Sequence, residues 1–408
     1  MVMTYNAPGI YVEEVPGGAR PIQAVGTSTA GFVGVAPSPD APVNQATACN
    51  NWSQFKRIFV GDSTTSTPLS HAVWGFFLNG GRRCFVVNVG PNGAIDGGGT
   101  GRAGLQLFDA VDEIAIVAAP GYTDAVSYDA LLTHCERLRD RVAILDPPLD
   151  VTDIMGLTRA ATATTRRSRS AEEATGEDTT TGGPGLRPRQ SDGGYGAFYF
   201  PQITVRDPLT NELVEVAPSG HIAGIWARTD ATRGVHKAPA NESVRGALNL
   251  SYRVTRDEQA ELNLAGVNCI RLFSREGIRV WGARTLADGS SEWRYLNVRR
   301  LFNMIEESIG DSTNWIVFEP NDRTLWKNIR RDIGAFLTRL WRDGALMGRT
   351  ADEAFFVKCD EETNPTEVID AGQVVTLIGV APVKPAEFII FRITQTSSGT
   401  EVEQTGAA

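Results

Sequence analysis

The stretch Gly97-Gly98-Gly99-Thr100-Gly101-Arg102-Ala103-Gly104 is the first place to look for phosphate chemistry, because glycine-rich turns turn backbone N–H groups toward an anion. A loop of the GxxxxGK[ST] kind also needs a lysine and a hydroxyl to engage phosphate and magnesium. No lysine stands here, and Pro91-Asn92-Gly93 just upstream reads as a turn, so the segment is read as a linker. The four histidines, His71, His134, His221 and His236, make no HExxH or comparable metal spacing. His134 and Cys135 are neighbours on a helix-patterned segment and so point in different directions. Cys49, Cys84, Cys135, Cys269 and Cys359 are scattered, with no CxxC pair to hold zinc or shuttle electrons. That usage fits synthesis in a reducing cytoplasm. There is no GxSxG elbow to carry a nucleophilic serine. The acidic pairs Glu13-Glu14 and Glu306-Glu307 read as solvated faces, not as carboxylates converging on a substrate. The sequence therefore predicts no catalytic residue, no metal site and no cofactor.

A non-enzymatic chain must still do something with its surface. The 39 cationic and 48 anionic residues leave a net charge of −9, which argues against a general nucleic-acid binder. Only five of those cations are lysines, and arginine is the better residue for multidentate, partly dehydrated contacts. GC-rich coding would give the same bias. No basic segment followed by an apolar run opens the chain, and no apolar stretch reaches bilayer length, so a soluble protein without membrane insertion is expected.

The elements that must carry that surface alternate. Ala30–Ala36 reads as a buried strand, Asn51–Phe59 and Ser70–Leu78 as helices, and Cys84–Val89 as a strand. Strand Glu113–Ala118, helix Ser127–Arg139 and strand Val142–Leu145 continue the pattern, which favours an α/β layer with parallel pairing. From Thr158 to Gly194 apolar residues nearly vanish, which predicts a mobile, outward loop. Its Arg166-Arg167-Ser168-Arg169 is offset by Glu172, Glu173, Glu177 and Asp178. Strands Tyr195–Val205 and Glu212–Val216 flank a turn at Asp207–Asn211. The last third is richer in helix: Leu296–Ser308, Arg323–Trp341 and Thr350–Phe356, among strands Ile270–Phe273, Val280–Gly282 and Trp315–Phe318. Asn321-Asp322 would cap the long helix. No internal repeat is visible.

Both ends read as strands lacking a local partner. Near the start, Ile10–Glu14 follows a Pro8-Gly9 turn; near the finish, Phe388–Gln395 precedes a polar tail. A lone strand exposes a row of unpaired N–H and C=O groups and is either covered or used to join another chain. Pro16-Gly17-Gly18 on one side, and Gly379, Pro382 and Pro385 on the other, supply hinge sequence.

Several longer motifs then converge. They are Tyr5…Pro8-Gly9-Ile10-Tyr11-Val12-Glu13-Glu14, Pro218-Ser219-Gly220-His221-Ile222-Ala223-Gly224-Ile225-Trp226-Ala227-Arg228 and Gly234-Val235-His236-Lys237-Ala238-Pro239-Ala240-Asn241. Val280-Trp281-Gly282-Ala283-Arg284-Thr285-Leu286, Phe318-Glu319-Pro320-Asn321-Asp322…Leu325-Trp326 and Pro385-Ala386-Glu387-Phe388 follow in order. Together they resemble the contractile tail sheath family of phage tails, R-type pyocins and extracellular contractile injection systems, with a leaning toward the non-phage systems.

The resemblance implies a mixed α/β (α+β) multi-domain protomer. Its parts would be an N-terminal linking arm at 1–25, an outer α/β region at 26–250 with mobile loop 158–194, a helix-rich inner domain at 251–370, and a C-terminal arm and tail at 371–408. Such subunits form stacked hexameric rings, arranged helically around an inner tube, and contraction drives the tube through a target envelope. The implied partners are further copies of the chain, the inner tube protein, and baseplate and cap proteins. Assembly would take place in a bacterial cytoplasm, into a phage tail or a released tail-like particle. Ile10, Tyr11, Val12, Glu13, Val15, Phe388, Ile389, Ile390, Phe391 and Ile393 would be the inter-subunit arm residues. The basic side of the long helix, Arg323, Lys327, Arg330, Arg331, Arg339 and Arg342, is a solvated face or a tube contact. Alternative readings are a baseplate or cap component of the same machine, or an α/β enzyme with an unrecognised site.

Overall fold

The computed structural model of the chain describes residues 21–91, 93–97, 101–162 and 185–390, and the backbone of 392–396 and 399–403. It divides into two compact units. The larger is drawn from Val25–Met304 and Pro382–Ala408, the smaller from Met1–Ala24 and Ile305–Ala381. The mixed α/β class expected from the alternating pattern is what the structure shows.

The larger unit is built on a nine-stranded sheet. Its strands are β1 (Ala30–Gly34), β2 (Thr47–Cys49), β3 (Cys84–Asn88), β4 (Ile116–Ala118), β5 (Val142–Leu145) and β6 (Gly196–Phe200), then β9 (Glu242–Ser243), β11 (Val267–Phe273) and β12 (Gly277–Trp281). A small antiparallel sheet holds β7 (Ile203–Arg206), β8 (Leu213–Val216) and β10 (Ala247–Leu250). The large sheet runs β2-β3-β1-β4-β5-β6-β11-β12-β9. The central six strands, β3 to β11, are parallel, and antiparallel strands close both edges.

A parallel sheet covered on both faces needs apolar residues at successive positions, not only alternate ones. That is the pattern here. Phe32, Val86, Ile144 and Tyr199 enter one core with the helices Pro68–Leu78 and Ser219–Arg233. Val33, Val87, Leu145 and Phe198 enter the other with the helix Ala125–Leu138. Because β11 and β12 belong to this sheet, residues 251–304 fold with the preceding part of the chain, and the division falls at 304/305 where the sequence reading placed it at 250.

Of the loop expected over 158–194, residues 185–194 are fixed. The Arg189 guanidinium grips Glu136 at 2.9–3.0 Å and Asp129 at 2.6 Å, and Ser191 Oγ donates to Glu136 at 2.7 Å. Residues 163–184 lie outside the described residues.

The smaller unit centres on the helix Arg323–Arg342, which buries Leu325, Trp326, Ile329, Ile333, Phe336, Leu337 and Leu340. It also holds β13 (Phe355–Lys358) and β14 (Leu377–Val380), paired antiparallel as a two-stranded sheet. Two local expectations change here. Trp315–Phe318 is not a strand: Asn314–Ile316 forms a 3-10 turn, and Phe318 takes a left-handed φ of 70°. The helix expected over 350–356 covers only Ala351–Ala354, because Phe355 turns extended to begin β13. In both places an apolar run of four or five residues has no period of its own, and tertiary pairing decides its form.

Candidate assembly interface

In the smaller unit the Asp322 side chain caps the long helix by accepting from the Leu325 amide at 2.8 Å, and Asn321 Oδ1 accepts from the Trp326 indole at 2.8 Å. With the apolar stripe buried, all six cations of the opposite side are exposed. Four of them have partners within the subunit. Arg323 pairs with Glu361 at 2.6 Å, Arg330 donates to the Cys359 carbonyl at 2.8 Å, Arg331 bonds Asp332 at 2.9 Å, and Arg339 donates to the Ile22 carbonyl. Asp332, the lone acid of the span, is buried and offsets one of these cations, Arg331.

The β13–β14 pair has an unusual surface. Among the described residues no further strand pairs with either of them, so both outer edges carry unladdered backbone. Phe356 and Leu377, on one face of the pair, are 59% and 51% exposed. Gly379 was expected as hinge sequence; it lies within β14 opposite Phe356, where a Cβ would come 2.1 Å from the phenyl ring. The 18-residue connection between the strands is braced by Asn364, which accepts from the Val375 amide at 2.7 Å and donates to its carbonyl at 3.0 Å. A two-stranded sheet of four-residue strands is marginal by itself and gains from an added partner.

The C-terminal segment is held in the larger unit at two points. Asn297 Nδ2 donates to the Val383 carbonyl at 3.0 Å. The Arg284 guanidinium then takes Glu387 in a two-point grip, Nε to Oε1 at 2.9 Å and Nη2 to Oε2 at 2.6 Å. Immediately afterwards Phe388, Ile389 and Ile390 are 74%, 73% and 73% exposed. Three consecutive exposed apolar residues are an error in a monomer unless something covers them.

The strand expected over 388–395 begins only at Arg392. It is β15 (Arg392–Thr396), and it does have a hairpin partner, β16 (Gly399–Glu403), with Ile393 opposite Val402. Of the arm residues named from the sequence, Ile10, Tyr11, Val12, Glu13, Val15 and Phe391 lie outside the described residues. The first residues described include Ile22, which is only 1% exposed.

The remaining groups with chemical potential are occupied by structure. All five cysteines are buried free thiols, and burial pushes Cys49 up to about 11. Asp146, raised to about 7 by burial, accepts from the amide and hydroxyl of Ser219 at 2.8 and 2.6 Å and so starts the helix Ser219–Arg233. Among the described residues no group of three or more His, Cys, Asp or Glu is arranged to hold a metal. No described helix is long and apolar enough to cross a membrane.

Comparison with known proteins gives the family. The model of the phage tail sheath protein central domain matches residues 103–286, and that of the phage tail sheath C-terminal domain matches 288–396. The tail sheath protein of Salmonella phage ViI is 28% identical over 290 residues, 68% of this chain and 43% of its own length. The chain thus spans less than half the length of that curated relative. Full-length correspondence comes from solved structures. The sheath complex of an extracellular contractile injection system, PVC, in its contracted state superposes with a TM-score of 0.76 at 29% identity, covering 97% of this chain and 99% of that one. The contracted helical sheath of the anti-feeding prophage gives 0.72 at 31% identity, covering 96% and 100%. The chain belongs to the phage tail sheath protein family.

Proposed function

We propose that this chain is the structural subunit of a contractile sheath. It polymerises as stacked hexameric rings around an inner tube, and contraction of the stack drives the tube through a target envelope. The observation that carries this reading is the open-edged β13–β14 sheet in the same molecule as the exposed apolar run Phe388-Ile389-Ile390. Residues 1–20 and the C-terminal segment from Phe388 onward are linking arms in this reading, and β13–β14 of a neighbouring copy is their acceptor. Strand addition places many backbone hydrogen bonds across a joint while the arm's flanks let the joined bodies move. Contacts of one patch with a different patch on the next copy generate a ring where the rotation closes and a helical array where it does not.

Negative-stain microscopy of the purified chain tests this. Full-length protein forms wide hollow cylinders, while chains lacking residues 1–20 or 388–408 stay folded by circular dichroism and form none. Cylinders from either truncated chain refute the arm assignment. Isolated rings from the full-length chain would instead favour a baseplate or cap component.

A further inference from the structure

An arm that links moving subunits must be fastened where it leaves the folded body, and the structure shows such a fastening. We propose that Arg284 and Glu387 form the anchor through which tension on the C-terminal arm enters the subunit, with Arg284 a positioning residue of the linkage. The proposal rests on the reading of the segment after Glu387 as a linking arm.

Three observations lead there. The grip is two-pronged and shielded, with side-chain exposures of 9% for Arg284 and 18% for Glu387, whereas the next residue, Phe388, is 74% exposed. The change from held to free chain therefore falls between two consecutive residues. Arg284 is itself held from behind. Its amide donates to Asn268 Oδ1 at 2.7 Å, its carbonyl accepts from Asn268 Nδ2 at 2.8 Å, and its Nη1 donates to the Asn263 carbonyl at 3.0 Å. Asn268 belongs to β11, so the grip is continuous with the nine-stranded sheet. Finally, Tyr295 Oη lies 3.4 Å from Glu387 Oε2, and the Asn297–Val383 bond secures the segment four residues further in.

The geometry suits load. A planar guanidinium fork on a carboxylate fixes both position and rotation, which a single ammonium point does not. Pull applied at Phe388 meets this pair first and is spread into the sheet, instead of peeling residues 382–387 away one bond at a time.

The test uses full-length chain assembled into cylinders and exposed to graded hydrodynamic shear, with lengths read by microscopy. Glu387→Gln, which keeps shape and removes charge, is expected to leave the subunit's unfolding midpoint unchanged and to shorten sheared cylinders several-fold. Arg284→Lys, which keeps charge and loses the fork, should fall between. The exchange variant, Arg284→Glu with Glu387→Arg, should recover length. Loss of Glu387→Gln cylinders at the assembly step, mended by the exchange variant, also supports the anchor. Sheared Glu387→Gln cylinders as long as the wild type overturn it. So does a fall in subunit stability that accounts for the shortening. The chain cut after Glu387 separates the two ideas: cylinders from it remove the arm reading itself, whatever the point variants do.

Discussion

His221 shows how a residue type suggestive of chemistry is turned to packing. Neither ring nitrogen has a hydrogen-bond partner, and Gly75 of the facing helix leaves no room for a Cβ, which would stand 2.3 Å from Nδ1. Burial, with nearby His71 adding to it, pushes the imidazole down to about 3 from an ordinary 6.5. The folded value lies below the unfolded one, so this group's contribution to stability is complete above pH 6.5 and is lost as pH falls toward 3. Asp207, held down to about 2 by bonds from His71, Thr210, Leu209 and Ser66 against the opposing effect of burial, loses its contribution in the same direction. Asp146 acts oppositely, its contribution fading as pH rises from 3.8 toward 7. Comparison with a variant isolates the histidine. His221→Leu is expected to flatten the fall in unfolding free energy between pH 7 and pH 5 by about 2 kcal/mol, measured by urea titration at each pH. An unchanged slope contradicts the assignment. The packing role of His221 depends on Gly75, 146 positions away, and leaves no local pattern in the sequence. The partners Arg284 and Glu387 were not legible either, although each stands in a motif that carried the family resemblance, because a pair 103 positions apart leaves no local pattern.

At the scale of elements, the motif Ser219–Gly224 acquires a reason. Gly220 and Gly224, one turn apart, press the helix Ser219–Arg233 backbone-to-backbone on the helix Pro68–Leu78. An added Cβ would come 2.2 Å from the Ala72 carbonyl oxygen at one and 2.4 Å from that of Phe76 at the other. Neither obstacle is a side chain that can turn aside. Gly220→Val should lower stability by about 3 kcal/mol through forced separation of the helices. Gly334, within the helix Arg323–Arg342, faces open space, so Gly334→Ala should raise it by about 0.5–1 kcal/mol. Chemical denaturation of both variants checks the pair, and similar signs would defeat the argument. The central sheet strands were legible as short continuous apolar runs bounded by turn residues, and the four long helices of the sequence reading by a sustained 3.6 period. The β13 and β15 boundaries were not, since a short strand is defined by its partner, which for β13 lies beyond a long connection and for β15 is the polar segment Gly399–Glu403.

For the molecule as a whole, the exposed basic side of the helix Arg323–Arg342 is a surface whose use depends on assembly. Lys327 and its neighbours one turn either way, Arg323, Arg330 and Arg331, line up at helical spacing. We infer that this side meets an acidic stripe on the inner tube. Lys327→Glu with Arg342→Glu, both at exposed positions, should leave the folded subunit intact and abolish sheath formation on tubes; normal tube-bound assembly would sink the idea. The small size of the β13–β14 sheet has a consequence of its own. An edge only four residues long offers an incoming strand a few hydrogen bonds, too little to retain one arm alone. If the arms are read as linkers, two copies meeting in solution would part again, while a copy held by several neighbours at once would stay, because each further attachment becomes intramolecular. On the linking-arm reading, growth has a threshold concentration and a costly first ring, so purified chain forms cylinders only above that threshold.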